Sequence, residues 1–319
     1  VPQLFLNEKS CETTAEPDRV NRAMSTMVEA VLAIAREDPK GTALVTHASS
    51  LMALQLAQGH PISKWMGAPD TKDLRVLLKK LEDKSPYETV FPEGETFSDV
   101  ACRHDGDPVD GLRYAHLLGG IGISLPLEAR WNADTLTLVR EQLVDDEDTG
   151  SVLTEVEVRH VAGTEHVAPH LPWIRRGADA GRQKAVQGLR SGAELWRLRS
   201  DLFPLLQFTT LAEQHFTELP ETWVRPVGER LGELQDAVGD WDQALRPICP
   251  QWRSYVRTEF ENRRRLCWFE DTDGETRLFD WHSEFLPERG RMPGRLHFRL
   301  LHEERTLRIA YVGRKRGNR

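Results

Sequence analysis

Two histidines and an aspartate near the end of the chain have the types and spacing for proton transfer. Asp280 and His282 lie in one β-patterned stretch and His297 in the next. Imidazoles exchange protons near neutral pH. Around them stand Arg295, Arg299 and Arg308, with Arg314, Lys315 and Arg316 following Gly313. Guanidinium forks match phosphate oxygens and stabilise charge that develops on them. Cleaving RNA without a metal needs these parts: a base for the 2′-hydroxyl, an acid for the leaving 5′-oxygen, and cations for the phosphorane. His282, His297 and Asp280 are therefore the catalytic candidates, with Asp280 holding one imidazole in a single tautomer. Arg295, Arg299, Arg308, Arg314, Lys315 and Arg316 are the candidate nucleic-acid contacts. No metal and no cofactor is expected. Two plainer readings stand beside this one: a sheet face whose charges are merely solvated, and passive binding without cleavage.

The elements that must position these groups are strands. Side chains alternate faces along a strand. Leu296, Phe298 and Leu300 share one face, and Arg295, His297 and Arg299 the other. On the last strand Leu307, Ile309 and Tyr311 are expected in the core, which puts Arg308 beside the arginine face. On the preceding strand Phe279 and Trp281 are expected to oppose Asp280 and His282. One register then gathers all of these polar groups on a single reachable surface.

Charge supports an anionic partner. From Arg289 to Arg319 the chain has ten Lys or Arg against Glu303 and Glu304, while the formal net charge of the whole chain is -8. A basic segment on an acidic body concentrates anions at one place. Nucleic acid, RNA or DNA, is the expected partner of this end, and a protein partner could dock on the acidic remainder. Arg263-Arg264-Arg265 adds positive charge just ahead of the final strands, although at a helix end such residues can simply complement the helix dipole.

A resemblance bears on these same residues. The order Phe279-Asp280-Trp281-His282, Gly294-Arg295-Leu296-His297-Phe298 and Ile309-Ala310-Tyr311-Val312-Gly313-Arg314-Lys315 resembles the end of a family of uncharacterised bacterial phage-defence-associated proteins. It covers about the last 55 residues, with weaker similarity in the helical stretch before them. The last two strands are also similar to the closing strands of RelE-type toxin ribonucleases. No helical pair of the toxin kind directly precedes the sheet here, and this chain is far longer. The resemblance implies an antiviral defence setting in bacteria. The functional expectation is a defence-type protein acting on nucleic acid through its basic C-terminal sheet, as a metal-independent nuclease or as a non-catalytic recognition subunit.

Other constellations carry less. Pro69-Asp70 with Glu82-Asp83-Lys84 has the spacing of a metal-dependent nuclease motif, but Leu74, Leu77, Leu78 and Leu81 put this stretch on a helix instead of at strand ends. His160, His166 and His170 are close in sequence, yet Pro169 and Pro172 interrupt a helix through them and no cysteine completes a tetrahedral set. His104-Asp105-Gly106-Asp107 is spaced like a turn. There is no phosphate-binding Gly-Lys-Ser/Thr loop, dinucleotide glycine fingerprint or Gly-x-Ser-x-Gly elbow. The tryptophans at 173, 196, 223, 241 and 252 read as core residues, with base stacking the alternative.

The 319 residues, 39% hydrophobic and 29% charged, suffice for about two domains. Four scattered cysteines (Cys11, Cys102, Cys249, Cys267) read as reduced thiols of a cytoplasmic protein. The longest nearly apolar run, Leu117 to Leu127, is far short of the roughly 18–20 residues a membrane span needs. No secretory signal is visible, and because the chain begins at Val1 an earlier segment could precede it.

The periodicity predicts a strand from Pro2 to Asn7, a helix from Pro17 through Ala35 and a strand from Thr42 to Thr46. Helices follow at Ser49–Ala57 and Thr71–Leu81, the latter capped by Asp70. Gly111–Leu118 is a helix leading to a strand at Ile121–Leu125. A β-hairpin spans 135–159 around an acidic turn at 145–150. Helices chopped by prolines 204, 220, 226, 247 and 250 run from Gly177 to Arg264. A meander closes the chain: Leu266–Phe269, the Asp273-Gly274 turn, Arg277–His282, Arg295–Leu300 and Thr306–Val312. The fold class is α+β, with a mixed α/β domain over 1–172 and, over 173–319, a helical segment followed by the antiparallel sheet.

Overall fold

The computed structural model describes residues 3–81, 85–94, 97–143, 150–286 and 293–317. The acidic turn at 145–149, the Glu82-Asp83-Lys84 triplet and Pro2 lie outside these residues. The fold is α+β. The chain divides into two compact units, Val1–Asp179 and Ala180–Arg319. The division falls inside one helix, a little beyond the boundary at 172 that the sequence suggests. Among the described residues no helix is long and apolar enough to cross a membrane.

The N-terminal unit runs β1 (Gln3–Leu6), α1 (Pro17–Glu37), β2 (Ala43–Val45), β3 (Gln55–Ala57), β4 (His60–Pro61), α2 (Ile62–Met66), α3 (Lys72–Leu81), β5 (Val100–His104), β6 (Asp107–Pro108), α4 (Asp110–Leu117), β7 (Ile121–Ile123), β8 (Thr135–Leu143) and β9 (Ser151–Val161). Helix α5 (Leu171–Gly188) contains the division. The sheet order is β2-β1-β7-β9-β8-β5-β6. The first four strands are parallel and the rest antiparallel. Pro17 opens α1, where its missing N–H costs nothing. The helix buries the stripe Val20, Met24, Met27, Val28, Val31 and Ile34. The expected helix at Ser49–Ala57 is instead a 3-10 turn, Leu51–Ala53, followed by the β3–β4 hairpin. Gly59, at φ +70°, makes that reversal possible. Asp70 lies within a 3-10 turn, Pro69–Thr71, just ahead of α3.

The C-terminal unit adds α6 (Gly192–Leu202), β10 (Leu206–Phe208), α7 (Thr210–Thr217), α8 (Glu221–Gly239), β11 (Val256–Thr258), β12 (Trp268–Glu270), β13 (Thr276–Leu278), β14 (Trp281–Phe285), β15 (Gly294–Leu301) and β16 (Thr306–Arg314). Five strands form a sheet in the order β10-β16-β15-β14-β11. Its pairs are antiparallel except β10 with β16. One face carries Phe285, Leu296, Phe298, Leu307, Ile309 and Val312 into a core with Leu195, Phe216, Val224, Val227 and Leu231 of the helices. Ser191 and Thr209 cap α6 and α7, each hydroxyl accepting a backbone N–H.

The other sheet face is covered, and this corrects the meander. The stretch Arg277–His282 does not form one strand. It breaks at Phe279-Asp280, so β13 pairs only with β12 as a separate hairpin, while β14 joins the sheet. Phe279 therefore leaves the main core. It packs with Cys267, Phe269 and Ala310 in a small second core between the hairpin and the sheet, while Trp281 packs against the helical side.

A β-bulge corrects the last strand. His297 pairs with Tyr311 but Phe298 pairs with Ile309, leaving Ala310 as an extra residue. Tyr311 is thereby turned out of the main core and onto the histidine face, with its ring 5.7 Å from that of His297.

Candidate nucleic-acid interface

The strands do gather the predicted groups on one face. His282 lies directly opposite His297 and Glu284 opposite Arg295, while Arg299 pairs with Arg308. The two imidazoles are 5.6 Å apart, centroid to centroid. The surface they form, however, is not reachable. His282, His297 and Arg295 are buried, beneath the small core built by the β12–β13 hairpin and the segment leading into it.

Their charges are answered from within. Arg295 makes ion pairs with Glu259 at 2.6 Å and Glu284 at 2.7 Å. Asp271, in the hairpin turn, has a buried carboxylate that binds three guanidinium groups: Arg308 at 2.7 Å, Arg299 at 2.8 Å and Arg277 at 3.1 Å. Gln207 takes two further hydrogen bonds from Arg308. Burial alone raises the Asp271 carboxyl; hydrogen bonds from Arg308, the Thr272 backbone and Arg277, with the charge of Arg299, outweigh it and hold the group below the usual carboxylate range. At Glu259 the same contest, burial against Arg295 and His282, also ends low. Arg295, Arg299 and Arg308 are thus committed to internal carboxylates and are not free to grip phosphate.

The proton-transfer candidates fare similarly. Burial, then the positive charge of Arg295, pushes His282 down to about 4. Burial, then His282 and Arg295, pushes His297 down to about 4. His282 Nδ1 lies 4.0 Å from Glu259 Oε2, too far for a hydrogen bond, and has no other partner among the described residues. Its Nε2 faces Arg257 Nε at 3.4 Å. Asp280 orients neither ring. Its carboxylate pairs with Arg264 at 3.1 Å, and its carbonyl accepts the Glu259 N–H. Cys267 Sγ lies 3.7 Å from His297 Nδ1, but burial raises this thiol to about 11, which makes it a poor nucleophile.

Cations remain at the edge of the unit. The 3-10 helix Glu261–Leu266 carries Arg263, Arg264 and Arg265. Arg263 Nη2 donates to the Arg316 carbonyl at 2.5 Å, and Arg316 Nη1 to the Leu266 carbonyl at 2.8 Å. The run Arg314-Lys315-Arg316 is thereby laid along the arginine helix, although 50 residues separate them in the chain. Arg316 also sits over the Phe269 and Tyr311 rings. Arg265, Arg314 and Lys315 have no carboxylate partner among the described residues. Tyr255, Phe260 and Trp268 are exposed nearby in sequence. Arg257 lies 5.1 Å from both the Tyr255 and Phe260 rings. One exposed carboxylate, Glu261, shares the helix.

The sequence reading therefore found Arg314, Lys315 and Arg316 where they are accessible, and it noted Arg263–Arg265. It missed Glu259, Asp271, Tyr255, Arg257, Phe260 and Trp268. Asp271 was visible as a turn residue, but nothing local shows that its turn reaches β15 and β16. Trp268 carried a signal, since two adjacent aromatics in one strand, Trp268 and Phe269, cannot both face the same core.

Three histidines that are close in sequence are held by local hydrogen bonds. His160 bonds the Ala133 carbonyl at 2.7 Å and Ser124 Oγ at 2.8 Å. His170 bonds the Asp134 carbonyl, and His166 Nδ1 accepts the Ala162 and Gly163 N–H groups. Among the described residues no group of three His, Cys, Asp or Glu could hold a metal ion. At the carboxyl ends of β1 and β2, Glu8 accepts the His47 N–H at 2.6 Å and the Tyr87 hydroxyl, and burial raises its carboxyl. Both of its oxygens are occupied, so Glu8 acts as a clamp between strand ends.

Comparison with family models, curated proteins and solved structures finds no match to this chain.

Proposed function

We propose that the C-terminal unit is a nucleic-acid recognition surface and not a nuclease, and that its phosphate contacts are made at the edge formed by the Glu261–Leu266 helix and the Arg314-Lys315-Arg316 run. The observation that carries this is the pair of hydrogen bonds between Arg263 and Arg316 and between Arg316 and Leu266, which join two distant basic runs into one cationic edge. Such an edge attracts a polyanion by counterion release without reading its sequence. The resemblance of this end to phage-defence-associated proteins gives the module an antiviral setting in bacteria.

Cleavage by His282 and His297 has less support. General acid–base catalysis at neutral pH needs one group that holds a proton and one that lacks it. Two imidazoles both titrating at about 4 are both neutral at pH 7, and neither can serve as the acid. Their burial also keeps a phosphodiester away.

Charge reversal tests the reading. A variant carrying Arg265→Glu, Arg314→Glu and Lys315→Glu should fold as the parent does and lose binding to a labelled oligonucleotide at low salt. Parent-level binding by that variant, or oligonucleotide cleavage abolished by His297→Gln, would overturn it.

A further inference from the structure

We infer that the polymer held at this edge is single-stranded nucleic acid, with its bases stacked on Tyr255, Phe260 and Trp268; the inference rests on the phosphate-binding reading above. These large rings are 57%, 60% and 53% exposed. They bracket the arginine helix. Phe260 stands immediately before its first residue and Trp268 two residues past its last. A 3-10 helix of six residues is about 12 Å long, so the rings sit at the two ends of a short cationic segment.

The local structure accounts for their exposure. In β12, Phe269 turns inward to the small core, and alternation leaves Trp268 facing out. Phe260 and Tyr255 flank Arg257, whose guanidinium lies 5.1 Å from each ring. Arg257 has no carboxylate partner among the described residues, so both a ring and a cation are on offer at the edge strand β11.

Stacking needs an open base face. A single strand provides it; a duplex hides its bases in its own stack and offers only phosphate and groove edges. An acidic polypeptide would satisfy the arginines but has nothing that requires three outward rings. The combination of rings and unpaired cations therefore favours the single strand, RNA or DNA alike.

The experiment uses the full chain and fluorescein-labelled 12-mers of oligo(dT), oligo(U) and a mixed-sequence duplex, with anisotropy as readout. The single strands should bind at least about ten-fold more tightly than the duplex. Phe260→Ala and Trp268→Ala should each weaken single-strand binding roughly ten-fold and leave duplex binding unchanged, in line with the cost of losing one stacked base. Phe260→Trp should restore binding, which separates stacking from any folding defect. Equal affinity for duplex and single strands, with the alanine variants unaffected, would sink this inference and leave the phosphate reading intact. Failure of all three oligonucleotides, or binding of poly-Glu alone, would sink both.

Discussion

Two carboxylates decide what the arginines can do. Glu259 and Asp271 are buried and ionised because guanidinium groups surround them. Removing one partner of a buried pair strands the other charge, at a cost of about 3–5 kcal/mol. Glu259→Gln should therefore lower the unfolding free energy in urea titration, by less than that full cost because Glu284 still pairs with Arg295, with no gain in oligonucleotide binding. An unchanged midpoint would show that Arg295 is solvated instead. The histidines add a pH signature. Both folded-state values, about 4, lie below the ordinary 6.5. Their contribution is complete above pH 6.5 and is lost as the pH falls towards 4, because the unfolded chain binds protons that the folded chain refuses. Each histidine can account for on the order of 3 kcal/mol across that window. Stability should fall steeply from pH 6.5 to 4.5, and His297→Gln should remove about one proton from the slope. A slope identical to the parent's would mean that His297 is not held neutral. At this scale the sequence was half legible. Alternation correctly put Arg295, His297 and Arg299 on one face. Which carboxylates meet them depends on residues 28 and 36 positions away, and no local pattern encodes that.

Elements explain why that face is closed. The β12–β13 hairpin exists because the Asp271-Thr272-Asp273-Gly274 turn reverses the chain, with Gly274 at φ +81°. The turn was readable in the sequence; the break after it at Phe279-Asp280 was not, because Phe279 is as apolar as a strand residue should be. The bulge at Ala310 was equally silent. It places Ala310 and Tyr311 on the same side and returns Val312 to the core. Deleting Ala310 would restore strict alternation with Ile309, Tyr311 and Val312 kept on their present faces, losing only the methyl that Ala310 adds to the small core. The variant should keep native protection across β15 and β16 in hydrogen exchange; loss of that protection would refute the bulge. Gly294 is a further constraint. A Cβ there would meet the Phe285 ring at 2.0 Å, so Gly294→Ala should destabilise by about 1–3 kcal/mol, as overpacking does. The short parallel strand β10 was missed because it has three residues and sits between helices.

At the scale of the whole molecule, the α+β class was legible from periodicity. The charge asymmetry was legible too, but its meaning changed. Arg295, Arg299 and Arg308 are spent on the unit's own acids, so the cations left for a partner are fewer than composition suggests. They lie at an edge assembled from two separate runs. The direct measurement is the dependence of oligonucleotide affinity on salt. Each phosphate contact contributes about 0.7 to the slope of log K against log[salt] for a single strand. Mutating Arg265, Arg314 and Lys315 together to alanine should therefore make the slope shallower by about 2. A slope unchanged in that variant would contradict the account and return the phosphate contacts to the inner face of the sheet.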